Sequence, residues 1–197
     1  MKTADFNTDL ACLEIGSGIG SFLSYLAYKG RQEFQGIDHD DALVDVQPTE
    51  VAGHLGCADV WQYLEDCGSK TYDRVVILDV LEHFSTEEGF YLLTRIKSVL
   101  GDQGKIIVRV PNASSPWGLS YQFSDLTHKT PYNPESLRQL AIACGLGNCS
   151  IYEQRQGSRR SMITDAIINK FLSWTLLTPP SLWGANIYGV LSKTGIS

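Results

Sequence analysis

The chain has 197 residues, enough for one domain with a substantial core, and its 43% hydrophobic and 19% charged content is that of a globular chain. A formal net charge of −6 argues against non-specific nucleic-acid binding, which needs clustered Lys and Arg to displace phosphate counterions; Arg155, Arg159 and Arg160 form the one local basic group. Five cysteines without a C-x-x-C pair read as free thiols in a reducing compartment, and neither a signal-peptide h-region nor a bilayer-length apolar stretch is visible, so the expected location is cytoplasmic.

Ala11–Ile15 is an apolar run that ends in glycines and predicts a buried strand. Ile19, Phe22, Leu23 and Leu26 follow at helical spacing, with Gly30 placed to end the helix. EFQGID (33–38) predicts a second strand, whereas VAGHLGCADVWQYL is ambiguous between a helix end, a short strand and a turn. DRVVILDV (73–80) reads as a strand buried on both faces. Ser85 and Glu88 form a capping box ahead of a helix carrying Leu92, Leu93, Ile96, Val99 and Leu100, with Gly101 as its stop. KIIVRV (105–110) is another strand, broken by Pro111. A helix begins at Asn133-Pro134-Glu135 and ends at Gly145, and two final strands fall at 149–154 and 186–192. Residues 112–133 remain a long loop, and an apolar helical insertion covers about 157–185. This alternation predicts an α/β fold: a single doubly wound, Rossmann-like sheet of about seven strands, mostly parallel with an antiparallel last strand, and helices on both faces.

Gly16, Gly18 and Gly20 follow the first strand as G-x-G-x-G. A dinucleotide fingerprint needs glycine where Ser21 stands, and no lysine follows the glycines before Lys29 to make a Walker loop. Bare glycines followed by a helix N-terminus still admit a ligand carboxylate close to the backbone. Asp38, twenty residues after Gly18, is placed to accept hydrogen bonds from both hydroxyls of a ribose.

Taken in order, E-I-G-S-G-I-G, G-I-D, C-A-D and D-R-V-V-I-L-D-V-L-E-H resemble the successive motifs of class I S-adenosylmethionine-dependent methyltransferases over residues 10–150. The resemblance implies S-adenosyl-L-methionine as cofactor. It would set Glu14, Gly16 and Gly18 along the methionine end, Asp38 on the ribose and His39 on the adenine side. Asp59 would bond the adenine amino group with Val60 nearby, and Asp79 and Val80 would complete the wall. The structural alternatives are a turn role for Asp59 and a solvent-facing His39. The stretch ahead of the first strand is shorter than the covering helices usual in the family.

Methyl transfer to an oxygen needs a base for the acceptor proton, and a histidine suits neutral pH. His83, in L-E-H, occupies a position that shapes the cofactor pocket in many small-molecule members; His128, on the loop after the fifth strand, is the favoured base, with Asp125 as a possible orienting partner. Glu82 receives no catalytic role. V-P-N-A-S-S-P-W-G-L-S-Y-Q-F-S-D-L-T-H resembles methyltransferases of polysaccharide and lipopolysaccharide synthesis. That makes a sugar hydroxyl the expected acceptor, with Trp117, Tyr121 and Phe123 as flat faces and Asn112 and Ser114 as hydroxyl partners. The alternatives are a quinone or other lipid-like acceptor, a catalytically inactive cofactor-binding partner module, and a dehydrogenase. Residues 161–183 read either as a helix over the substrate mouth or against a second copy in a homodimer, or as an interfacial helix at the inner face of a membrane. No metal-ligand spacing is present, Asp40 and Asp41 beside His39 being read as surface residues, so no metal is expected.

Overall fold

Strand β1 (Cys12–Ile15) is buried along its whole length, which explains why its sequence shows no polar face apart from Glu14. The computed structural model describes residues 10–154 and 157–193. After β1 come α1 (Ser21–Tyr28), β2 (Phe34–Asp38), a 3₁₀ turn at Asp41–Val46, β3 (Leu55–Cys57), α2 (Val60–Asp66) and β4 (Tyr72–Leu78). A second 3₁₀ turn at Leu81–His83 leads into α3 (Thr86–Ser98) and β5 (Leu100–Pro111). The chain continues through α4 (Pro116–Ser124), α5 (Pro134–Ala143), β6 (Asn148–Glu153), α6 (Arg159–Thr175) and β7 (Asn186–Ser192).

The strands form one seven-stranded sheet in the order β3-β2-β1-β4-β5-β7-β6. The first five run parallel, and β7 lies antiparallel between β5 and β6. Residue alternation along the central strands divides the core in two. Leu13, Ile15, Val75, Ile77, Ile106 and Val108 pack on one face with Leu92, Leu93 and Ile96 of α3 and Leu137 and Leu140 of α5. Cys12, Val76 and Ile107 pack on the other with Leu23 and Leu26 of α1. The strand order reverses beside β1, so the ends of β1, β2 and β4 open a crevice there.

Local chemistry sets the element ends. Ser85 Oγ accepts from the Glu88 N–H at 3.2 Å while Glu88 Oε2 accepts from the Ser85 N–H at 2.7 Å, a cap that contributes about 1 kcal/mol. Asn133 caps α5 in the same way, and Gly145 ends it at φ 65°. Several expectations need correction. Gly101 does not stop α3, which closes at Ser98; it lies in a bulged start of β5, where the pairing jumps from Tyr72–Leu100 to Arg74–Lys105. β4 ends at Leu78, leaving Asp79 and Val80 beyond it. The 112–133 loop holds a helix, α4, started by Pro116 and capped by Ser115, whose hydroxyl accepts from the Trp117 N–H. Arg155 lies outside the described residues.

Gly36 in β2 is what allows the glycine turn to lie against this strand. A Cβ there would stand 2.6 Å from Leu55, 2.7 Å from Leu23 and 2.8 Å from the Ser17 Cβ. The leucine tips can rotate away, but the Ser17 Cβ is fixed to the turn. Gly36→Ala should therefore lower stability by about 1–3 kcal/mol in denaturant unfolding. An unchanged midpoint would show that the turn yields freely.

Candidate active site

The three glycines after β1 all take left-handed backbone conformations, at φ 72°, 53° and 81° for Gly16, Gly18 and Gly20. At Gly16 the reason is contact as well as conformation, because a Cβ would overlap the Val80 side chain beyond β4. The Gly18 N–H donates to Asp38 Oδ2 at 2.8 Å, and Asp38 Oδ1 accepts from the Asp40 N–H at 3.1 Å. The structure thus brings Glu14, Gly16, Gly18, Asp38 and Val80 into one crevice. No side chain caps α1, which opens directly on Gly20.

Glu14 lies at the floor, 3% exposed, and its Oε2 has no hydrogen-bond partner. Burial, reinforced by the Asp38 carboxylate, pushes its carboxyl up to about 8. Asp79 takes φ 55°, a conformation an L side chain adopts at a cost of about 1–3 kcal/mol, and its carboxylate receives two hydrogen bonds from Arg109, one of them from Nε at 2.8 Å. His39 is 91% exposed, with Nδ1 3.3 Å from Asp38 Oδ1. Asp59 is exposed and caps α2, its Oδ1 accepting from the Trp61 and Gln62 N–H groups at 3.0 and 3.1 Å. Val60 begins that helix and packs against the core.

Past β4, two neighbouring side chains meet a third from a distant position. Ligating atoms of Glu82, His83 and His128 all lie within 4.8 Å of one another. The two imidazoles meet edge to face, ring centres 4.6 Å apart. His128 Nδ1 lies 3.0 Å from the Gln122 carbonyl; a carbonyl only accepts, so Nδ1 carries the proton and Nε2 keeps its lone pair. The expected orienting partner is corrected here: Asp125 Oδ2 is 3.9 Å from His128 Nε2, too far for a hydrogen bond. Asp125 instead accepts from the Thr127 hydroxyl at 2.6 Å, which leaves Thr127 Oγ1 to accept from His83 Nδ1 at 2.9 Å. His83 also presents a bare Nε2, and burial beside His128 lowers its pKa. Glu82 is fully buried, neither carboxyl oxygen has a hydrogen-bond partner, and burial pushes its pKa up to about 8. Sequence reasoning passed over Glu82 because L-E-H gives no sign of its burial. Arg109 was missed for a similar reason, since on an apolar strand it reads as one polar interruption.

A cleft of about 630 Å³ opens between α4, α6 and the start of β7. Trp117, Tyr121 and Trp183 supply aromatic walls, and Glu153, Asp165, Asn169 and Asn186 supply polar ones. Phe123 is 72% exposed and does not line it. Asn112 and Ser114 also leave the acceptor site. Asn112 Nδ2 donates to the Leu182 and Gly184 carbonyls, while its Oδ1 accepts from the Ser114 N–H and hydroxyl. α6 forms one cleft wall and has no buried residue, and no helix among the described residues is long and apolar enough to cross a membrane.

A glycine turn after the first strand, with a carboxylate closing it from the second, defines an adenosyl-cofactor transferase of the class I fold. The chain belongs to the methyltransferase-domain family, whose pattern matches residues 2–151, and it is an S-adenosylmethionine-dependent methyltransferase. Among solved structures it is similar to an S-adenosylmethionine-dependent methyltransferase from Archaeoglobus fulgidus, at 22% identity and TM-score 0.73 over 97% of this chain and 90% of that one. It is also similar to the plantazolicin methyltransferase BpumL in complex with SAH, at 16% identity and TM-score 0.65 over 98% and 79% of the two chains. The magnesium protoporphyrin IX methyltransferase of Synechocystis PCC 6803 with bound SAH matches at 19% identity and TM-score 0.60, over 96% and 77%. At these identities the likeness is one of fold. No curated protein matches the chain.

The crevice fits the cofactor. An unpartnered buried carboxylate at Glu14 suits the methionyl ammonium, and Asp38 retains lone pairs for ribose hydroxyls after clamping the turn. At pH 7 Glu14 is mostly protonated in the free protein, whereas an ammonium beside it favours the carboxylate. Binding of SAH should therefore release close to one proton at pH 7 and fewer at pH 9, where Glu14 is already ionised. Calorimetric titration in two buffers of different ionisation enthalpy measures this, and Glu14→Gln should abolish the release. A heat independent of buffer would place the ammonium elsewhere.

Proposed function

We propose that the methyl acceptor is a sugar hydroxyl, as in glycan or polysaccharide synthesis. The supporting observation is the cleft along α4, where Trp117, Tyr121 and Trp183 offer flat faces to a pyranose and carboxylate and amide side chains offer partners to its hydroxyls. Bound in the crevice, the cofactor supplies a methyl group on a sulfonium, an electrophile that needs no further activation. The chain's own residues then have two tasks. Glu14, Asp38 and the glycine turn hold the donor, while the cluster at Glu82, His83 and His128 draws off the acceptor proton. α4 serves both sites, since Trp117 and Tyr121 face the cleft and the Gln122 carbonyl orients His128. His128→Ala should leave SAH affinity nearly unchanged and lower turnover on a sugar acceptor by ~10²-fold. Full turnover in that variant, measured by mass spectrometry of the product, would remove the cluster from the reaction.

One observation favours a glycan carried on a lipid. Ile163, Ile167, Phe171 and Trp174 of α6 and the adjoining Leu177 are between 58% and 100% exposed, and exposed Arg159 and Arg160 precede them. Such an apolar face led by cations suits the anionic inner surface of a membrane, in a protein whose net charge would otherwise oppose it. Phe171→Ser together with Trp174→Ser should abolish cosedimentation with phosphatidylglycerol vesicles; equal cosedimentation with and without the pair would sink this reading.

A further inference from the structure

We propose that Glu82, His83 and His128 form a binding site for a divalent cation of the borderline class that includes Zn²⁺, Co²⁺ and Mn²⁺. Two imidazole nitrogens and one carboxylate are the donor set such ions take, leaving further coordination positions open.

Three independent features of the cluster point this way. First, both histidines are prepared as ligands rather than as donors. Each has its Nδ1–H committed, His128 to the Gln122 carbonyl and His83 to Thr127 Oγ1, so each keeps a bare Nε2. Metal-ligating histidines are held in this way, by the hydrogen bond on the other ring nitrogen. Behind His83 the relay runs on to the Asp125 carboxylate through the Thr127 hydroxyl, which fixes the orientation of the ring. Second, the third member is a fully buried carboxyl whose two oxygens both lack a hydrogen-bond partner, although the protein could have placed a donor there. Third, backbone bonds fix the two halves of the site to each other: the Lys129 and Thr130 N–H groups both donate to the Glu82 carbonyl, at 2.8 and 3.1 Å. Ligand atoms around one such cation stand roughly 3–3.5 Å apart. One ligating atom from each of the three residues already lies within 4.8 Å of the others, so side-chain adjustments on the order of 1 Å complete the site.

This assignment deepens the acceptor reading above and rests on it only for the cation's task. With the cation held there, the cluster would draw off the acceptor proton through it: the hydroxyl would become more acidic and release its proton to water, and its oxygen would bond to the methyl carbon as that carbon's bond to sulfur breaks and S-adenosylhomocysteine leaves.

The test uses the full chain, treated with chelator and then titrated with Co²⁺ while its visible d–d absorption is followed, with Zn²⁺ as competitor. One equivalent of Co²⁺ should bind and be displaced by Zn²⁺. Glu82→Gln, His83→Ala and His128→Ala should each weaken binding by ~10²-fold. His54→Ala is the control: its Nδ1 lies 3.0 Å from the Phe34 carbonyl, at the start of β2, and affinity should stay unchanged. SAH affinity measured on the same samples confirms folding without relying on turnover. Absence of a d–d band in the wild type at millimolar Co²⁺ would overturn the assignment, as would a band that survives all three substitutions. A wild type that binds Co²⁺ but not SAH would instead sink the reading of the cofactor crevice and leave the cation site standing.

Discussion

The hydrogen bond from the Gly18 N–H to the Asp38 carboxylate, 2.8 Å long and reaching from the turn after β1 to the end of β2, is the constraint on which the site depends. It fixes a loop that glycine alone would leave mobile. Together with the Gly16 and Ser17 N–H groups, which both donate to the Ile37 carbonyl, it sets the turn with Gly16 against Val80 and Glu14 buried at the end of β1. A charged acceptor makes this bond stronger than a neutral one, and the lone pairs left on the same carboxylate face the ligand side. The residue that shapes the crevice is thus also the one suited to grip a ribose.

The crevice is built against its own electrostatics. Glu14, Asp38, Asp79 and Glu82 gather near the ends of β1, β2 and β4, and Arg109 is the cation that acts on both buried acids and pairs with Asp79. Burial raises the pKa of Glu14 and Glu82, and the neighbouring Asp38 and Asp79 carboxylates raise it further. The buried acids Glu14 and Glu82 lie respectively under the turn and behind the histidines, and each lacks a donor on at least one oxygen. Such an arrangement favours cationic ligands. An ammonium and a sulfonium belong to the cofactor, and a metal ion would serve the other acid.

The sheet was legible because its signals are local and redundant. Buried parallel strands read as unbroken apolar runs, and capping boxes mark α3 and α5. Gly16, Gly18 and Asp38 stand at a spacing that a nucleoside crevice demands and an ordinary turn does not. The misreadings come where a residue's task is set by chain segments far away. Asn112 looked like a free amide on a substrate loop, yet its side chain is saturated by the Leu182 and Gly184 carbonyls, about seventy residues on. Glu82 looked like a helix-start acid and proves to be a fully buried one. None of these distinctions is carried by residue type or periodicity, because each depends on which strand ends the topology places side by side.

α4 shows why the histidine cluster need not be reorganised by substrate. A Cβ at Gly118 would overlap the Asn112 carbonyl, so the helix lies directly on the chain leaving β5. The Ser115 hydroxyl donates to the Trp183 carbonyl at 2.6 Å, which ties the same helix to the segment entering β7. With its first turn anchored at both strands, the helix delivers the Gln122 carbonyl to His128 at its far end and two aromatic rings to the cleft along its side. The tautomer of His128 is therefore set by the scaffold before any acceptor arrives, and catalysis need not supply the energy to choose it. The expected long substrate loop gives way to a helix that both lines the cleft and holds His128.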